Sequence, residues 1–384
     1  MSATKPLHRI DRNVAQDDVL HVGAPNVGDR VYFNQLVDRI FQRRWFTNDG
    51  GVVKELESKL CSYLGVKHCV AVCNATLGLQ LAYRALDLTG EVIVPSFTFV
   101  ATAHAAQWNG LTPVFADVKR DDHTICPHSI ETLITEQTRA IVGVHLWGNP
   151  CDTRKIEALA RKHDLAVIYD AAHAFGCADQ DRMIGNFGDC EVFSFHATKF
   201  FNTFEGGAIA TNNDELAERL TRMKSFGFAG MDNVVGLGTN AKMPEVCAAM
   251  GLSLMPCLEQ LMERNRHNHQ LYQAHLEGLD GLRLLTHDHL QQTNWQYVVI
   301  EIDQQRFGVS RDELIERLHA RQIRARRYFY PGCHRMEPYR SMPRNQGLAL
   351  PNTEAIGDRV ICLPTGSAVD EADIERVCNV IRGD

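Results

Sequence analysis

The chain has 384 residues, 45% hydrophobic and 23% charged, an ordinary globular composition long enough for two packed cores. A formal charge of −7 without a basic stripe argues against nucleic acid as a partner, and no apolar run approaches a membrane span. The N-terminus carries no apolar leader core, so a cytoplasmic protein is expected.

Residues 1–20 are polar and read as an arm. Apolar spacing predicts a helix over 52–64 and a strand over 66–72. Asn74-Ala75-Thr76 follows, opening a helix over 77–86. A strand that turns into a helix at small and hydroxyl residues offers backbone N–H groups and a positive helix end to a phosphate. The plainer reading is a helix capped by Asn74. Glu91 to Pro95 is a buried-type strand, with Ser96-Phe97-Thr98-Phe99 and a helix over 100–108 behind it. Strands over 112–118 and 140–145, a helix over 156–163 and a strand over 165–169 ending at Asp170 continue the alternation. It persists to Leu254 and predicts a mostly parallel sheet with helices on both faces, ligands gathering at the carboxyl ends of the strands. From Pro256 the pattern changes to a long helix over 256–279, a strand over 295–302, a helix over 311–320 capped by Ser310, a strand over 323–328 and a closing helix over 370–381. The expected organisation is an arm at 1–20, a large α/β domain at 21–255 and a small α+β domain at 256–384.

The chemistry gathers at 191–211. Lys199 lies between two predicted strands among Phe195, Phe200, Phe201 and Phe204. Desolvation in such a setting disfavours the ammonium and frees the amine to attack a carbonyl. The alternative is a surface lysine with its stem on apolar neighbours. Asp170, at the end of an apolar strand, is costly to bury unless it meets a cation. A lysine, a carboxylate able to hold a pyridinium, an aromatic ring at Phe99 and a helix end for a phosphate together describe a pyridoxal-phosphate site. Two rivals are weaker. Gly236 to Ala241 matches G-x-G-x-x-A, but no strand precedes it and no helix opens after it. The twelve cysteines contain no C-x-x-C, and His267/His269 and His287/His289 have no cysteine partners, so no metal site is expected.

The motifs C-N-A-T-L-G-L-Q-L-A, V-P-S-F-T-F-V-A-T-A, Y-D-A-A-H-A, S-F-H-A-T-K with E-G-G-A-I, T-N-A-K-M-P-E-V-C-A-A and L-P-N-T-E resemble the DegT/DnrJ/EryC1/StrS sugar aminotransferases, over nearly the whole chain from Phe46. The resemblance implies the fold of type I pyridoxal-phosphate enzymes. It implies that Lys199 carries the cofactor and moves the proton, that Asp170 pairs with the pyridinium nitrogen, and that Phe99 stacks on the ring. It places Ala75, Thr76 and Ser194 on the phosphate and His173 near the ring oxygen. Asn240 would reach the phosphate of a neighbouring subunit in a homodimer with shared active sites. Pro244 stands where the family usually has serine. Ser194-Phe195-His196 is similar to members that aminate C4 of a nucleotide-linked 4-keto-6-deoxy sugar, with L-glutamate as donor. We therefore expect dTDP-4-keto-6-deoxyglucose as acceptor. A C3 aminotransferase and a pyridoxal-phosphate sugar dehydratase are the alternatives; Lys199 argues against the second, whose members carry histidine there. Arg324, Arg326, Arg327, Tyr330, His334 and Arg335 are candidates for the sugar nucleotide's diphosphate, or else a solvated basic edge.

Overall fold

A computed structural model describes residues 19–286 and 292–384. Residues 1–18 of the expected arm at 1–20 and the pair His287/His289 lie outside the described residues. Seven strands form the central sheet: β1 (His68–Val72), β2 (Glu91–Pro95), β3 (Thr112–Ala116), β4 (Thr138–Val144), β5 (Ala166–Asp170), β6 (Cys190–Ser194) and β7 (Gly207–Thr211). Their spatial order is β1-β7-β6-β5-β4-β2-β3. All neighbours run parallel except β7, which is antiparallel to both β1 and β6. The chain therefore leaves the carboxyl end of β6 and re-enters the sheet at that same edge, carrying Lys199 on residues 195–206 between.

Side-chain alternation explains why both faces are buried. Ile93, Ile141, Val167 and Phe193 point into one apolar core, whereas Val92, Val94, Ile168 and Val192 point into the other. Each such side chain contributes roughly 1.5–3 kcal/mol by leaving water. Helices Gly51–Leu64 and Glu245–Leu254 cover the first face; Ala75–Ala85 and Ala101–Trp108 cover the second. Beyond Met255 come the helix Leu258–Leu276, a three-stranded sheet of Leu282–Leu284, Val298–Ile302 and Val360–Leu363, and the helices Arg311–Ala320 and Glu371–Arg382. No described helix is long and apolar enough to cross a membrane.

Several elements differ from expectation. The strand predicted over 323–328 is only Ile323–Arg324, paired with Leu20–His21, before the chain turns. The helix Arg30–Arg43 was not anticipated; only Leu36 and Ile40 are buried along it, too thin a stripe to read. It starts because Asp29 Oδ1 accepts the Val31 and Tyr32 N–H groups.

Apolar packing crosses between the two ends of the chain. Cys333, Tyr339 and Leu350 belong to the second core of the large sheet, and Phe97 and Trp147 pack with Tyr297, Val299, Phe329 and Cys362. A polar tie reinforces this. The helix Pro351–Gly357 has no side-chain cap of its own. Asp117, just past β3, supplies one: its carboxylate accepts the N–H groups of Asn352 at 3.0 Å and Thr353 at 2.8 Å, and the Thr353 hydroxyl at 2.7 Å. Asp117→Ala leaves these donors buried and is expected to cost about 2–3 kcal/mol in urea unfolding. Because the cores are shared, the wild type should unfold in one transition; separate melting of the C-terminal part would contradict this packing.

Candidate active site

At the carboxyl edge of the sheet lies a cavity of about 340 Å³. Its lining includes Ala75, Thr76, Phe99, Asp170, His173, Ser194 and Lys199. Seven of the eight residues singled out from the sequence thus meet in one place. Asn240 does not line it; that residue is exposed and accepts a hydrogen bond from Lys242 Nζ at 2.6 Å.

Lys199 sits here because the 195–206 loop starts and ends at one sheet edge. Its expected aromatic surroundings are a correction. Phe195, Phe200 and Phe201 are buried, with Phe195 and Phe201 packed edge-on, and belong to the core under the loop. What meets the amine is the Tyr297 hydroxyl, which accepts from Nζ at 3.4 Å. Burial lowers the Lys199 pKa to about 8, against the opposing pull of Asp170.

Asp170 is buried. No salt bridge to it occurs among the described residues; instead Oδ2 accepts the Thr102 hydroxyl at 2.8 Å and Oδ1 the Ala172 N–H at 3.1 Å. Burial raises its pKa, outweighing those two bonds and the charge of Lys199. His173 is buried beside it. The Trp147 N–H donates to its Nδ1 at 3.2 Å, so the neutral ring carries its proton on Nε2. Burial first, then the Lys199 charge, holds its pKa well below the ordinary histidine value. Its ring stacks on Phe329, 5.9 Å between centroids.

The cap reading of Asn74 is what the structure displays, and it is compatible with the phosphate reading. Its Oδ1 caps the helix by accepting the Leu77 N–H at 2.8 Å, leaving the Ala75 and Thr76 N–H groups at the helix end beside Ser194. Gly207 is required here: a Cβ would lie 2.9 Å from the Ala75 nitrogen and 2.7 Å from the Phe193 oxygen. The donor set suits pyridoxal phosphate. A helix end and a hydroxyl meet an anion, a buried carboxylate without an ion pair meets a cation, and a lowered lysine meets a carbonyl.

Sequence reasoning missed Thr102, Tyr297, Tyr328 and Phe329. A threonine in a helix and aromatic residues near strand ends look like ordinary packing residues; only the fold brings Tyr297, Tyr328 and Phe329 to the cavity and Thr102 to the Asp170 carboxylate behind it. None of the six small-domain candidates lines it. Arg327 pairs with Asp312 and Arg335 with Glu354, while His334 bonds Ser96. The Gly236–Ala241 stretch is no nucleotide loop: a Cβ at Gly238 would lie 2.2 Å from the Gly227 nitrogen, so glycine serves two crossing backbones.

A large, mostly parallel sheet flanked by helices, with its cavity at the carboxyl edge, is the architecture of the fold-type I aminotransferases. More narrowly, the chain belongs to the DegT/DnrJ/EryC1/StrS aminotransferase family, whose model matches residues 29–382. It is 39% identical to a dTDP-4-amino-4,6-dideoxy-D-glucose transaminase of Shigella dysenteriae over 94% of this chain and 98% of that one. Identity to the enzyme of that name from Escherichia coli is 35%, over 96% and 99%. The structure of DesI in the presence of its TDP-sugar product superposes with a TM-score of 0.91 at 46% identity, covering 96% of this chain and 93% of that one.

The raised pKa of Asp170 has a thermodynamic consequence. The folded chain holds its proton to higher pH than the unfolded chain, whose value is near 3.8, so this group's contribution to stability is lost as pH climbs through the folded pKa. Asp170→Asn does not titrate there. In cofactor-free protein, its stability relative to wild type should improve as pH rises from about 3 to 7. Urea titrations across that range check this; a pH-independent difference would show the carboxylate unperturbed.

Proposed function

We propose that this protein transfers an amino group from L-glutamate to the C4 ketone of dTDP-4-keto-6-deoxyglucose, using pyridoxal phosphate in two half-reactions. The observation that carries the reading is the pairing, in one cavity, of a lysine amine near pKa 8 with a buried, unpaired carboxylate. The names of the Shigella and Escherichia relatives support the sugar. Within this reading Lys199 anchors the cofactor, Asp170 faces its ring nitrogen, the His173 Nε2–H faces its ring oxygen, and Phe99 covers the ring. Ala75, Thr76 and Ser194 hold its phosphate. When bound, pyridoxal phosphate supplies an electron sink for negative charge on the substrate carbon.

The residues' own work follows from their environments. Lys199 Nζ is divided between neutral and charged forms near pH 8, so it could take a proton from the substrate carbon bearing the nitrogen and deliver it on the other side of that nitrogen. The Asp170 carboxylate is already desolvated and oriented by Thr102, so it stabilises a cation without reorganising. Homodimerisation belongs to the same reading. Phe99 at the cavity is 58% exposed, and Trp108 and Met231 are more exposed still, leaving apolar surface for a second copy whose Asn240 would reach in. So does a cytoplasmic location, since all twelve cysteines are free.

The holoenzyme should show a visible cofactor band that L-glutamate shifts and the 4-keto sugar nucleotide restores. A 3-keto analogue restoring it faster would move the reaction to C3; no response to glutamate would sink the aminotransferase reading. Lys199→Ala should abolish the glutamate response, and Asp170→Asn should slow it about 10²–10³-fold.

A further inference from the structure

Lys199 stands on a loop, yet the peptide units on either side of it are gripped by amides from distant segments. Gln296 Nε2 donates to the Thr198 carbonyl at 3.1 Å, and Asn26 Nδ2 donates to the Phe200 carbonyl at 2.8 Å. Both side chains are buried. Each is fixed in turn. Asn202 Nδ2 donates to the Asn26 carbonyl at 2.9 Å, and Ser367 Oγ donates to Asn26 Oδ1 at 2.7 Å. The Gln296 N–H donates to Asn294 Oδ1 at 3.0 Å, while Asn294 Nδ2 donates to the His173 and Phe175 carbonyls at 2.9 and 3.0 Å. One residue further, the Tyr297 hydroxyl meets the amine itself. Buried amides are costly unless bonded, and these spend their bonds on the backbone of the two segments that carry Lys199 and His173.

We propose that Gln296 and Asn26 are positioning residues that clamp the chain on both sides of Lys199, with Tyr297 setting the direction of its amine. Residues 294–297 thereby hold Lys199 and His173 in one frame. A side chain carried on a loop keeps a productive geometry only when its support is locked, and a displacement of about 1 Å can cost 10²-fold in rate. The inference rests on Lys199 being the reactive amine of the proposed function.

Three variants of the full chain test it. Gln296→Met and Asn26→Leu remove one donor each at similar volume, from unrelated segments, so one remains informative if the other fails to fold. Tyr297→Phe removes the hydroxyl. The first readout is cofactor-free: the pH profile of Lys199 labelling by an amine-directed reagent, followed by peptide mass spectrometry. The wild-type midpoint is expected at about 8. Loss of an amide clamp lets the amine reach water and moves the midpoint up toward about 10.4. Loss of the hydroxyl removes an acceptor of the ammonium and moves it down. Opposite signs distinguish the clamp from general loosening, which moves all three upward. The second readout is the single turnover of pyridoxal-phosphate-loaded enzyme with L-glutamate. It should slow about 10–100-fold in the amide variants, with KM changed less than about twofold. Wild-type midpoints and turnover in all three variants, whatever their melting temperatures, overturn the proposal. A wild type that takes up no pyridoxal phosphate refutes the functional reading instead, and the labelling profiles still decide the clamp.

Discussion

A carboxylate buried with no salt bridge among the described residues sets the terms for this molecule. Asp170 could not stay at the end of β5 unless the fold held it there, because its two hydrogen bonds do not offset its desolvation. The energy comes from elsewhere, from a sheet buried on both faces and from cores that run across the two ends of the chain. Local destabilisation is thus carried by global packing, the usual relation between a reactive site and its scaffold. Lys199 is in a similar position, half-buried at the cavity, where desolvation disfavours its charge.

Much of this was legible in the chain. The strand ends were readable because short apolar runs stop at polar residues, and in a parallel sheet that is where ligands gather. Asp170, Ser194 and Asn74 all follow that rule. The helix cap at Ser310 was readable from the sequence and proves to be a capping box, whereas Asp370, read as the first residue of the closing helix, is its cap. The misreadings have physical causes. Phe195 and Phe201 neighbour Lys199 in sequence, but the chain turns their rings into the core beneath the amine. Among the basic residues near 324–335, Arg327 and Arg335 meet Asp312 and Glu354, partners that local sequence does not reveal. Thr102, Tyr297 and Asn26 were illegible for one reason: their bonds span 68, 98 and 174 positions, and only tertiary structure supplies those distances.

The antiparallel strand β7 governs the geometry of the site. Had the chain crossed over to a parallel neighbour, as it does between the other strands, the segment after Ser194 would have run away from the carboxyl edge. Reversing direction returns it to the same rim and places Gly206 and Gly207 against the helix end at Ala75. Position 207 tolerates no side chain because backbone from three segments converges there.

The two walls of the cavity also have separate origins. One is the sheet edge, with Asp170, Ser194 and the helix end at Ala75; the other is Tyr297, Tyr328 and Phe329, brought from beyond the last large-sheet strand. Two distant stretches of the gene therefore shape one cavity, and they are coupled where Tyr297 meets Lys199 Nζ and Phe329 stacks on His173. Replacing Tyr328 would recontour the cavity without removing a bond to Lys199, whereas replacing Tyr297 would disturb the amine itself. A lineage that keeps one reaction while changing the molecules on which it acts is thereby steered to vary the part of this wall that leaves Lys199 untouched.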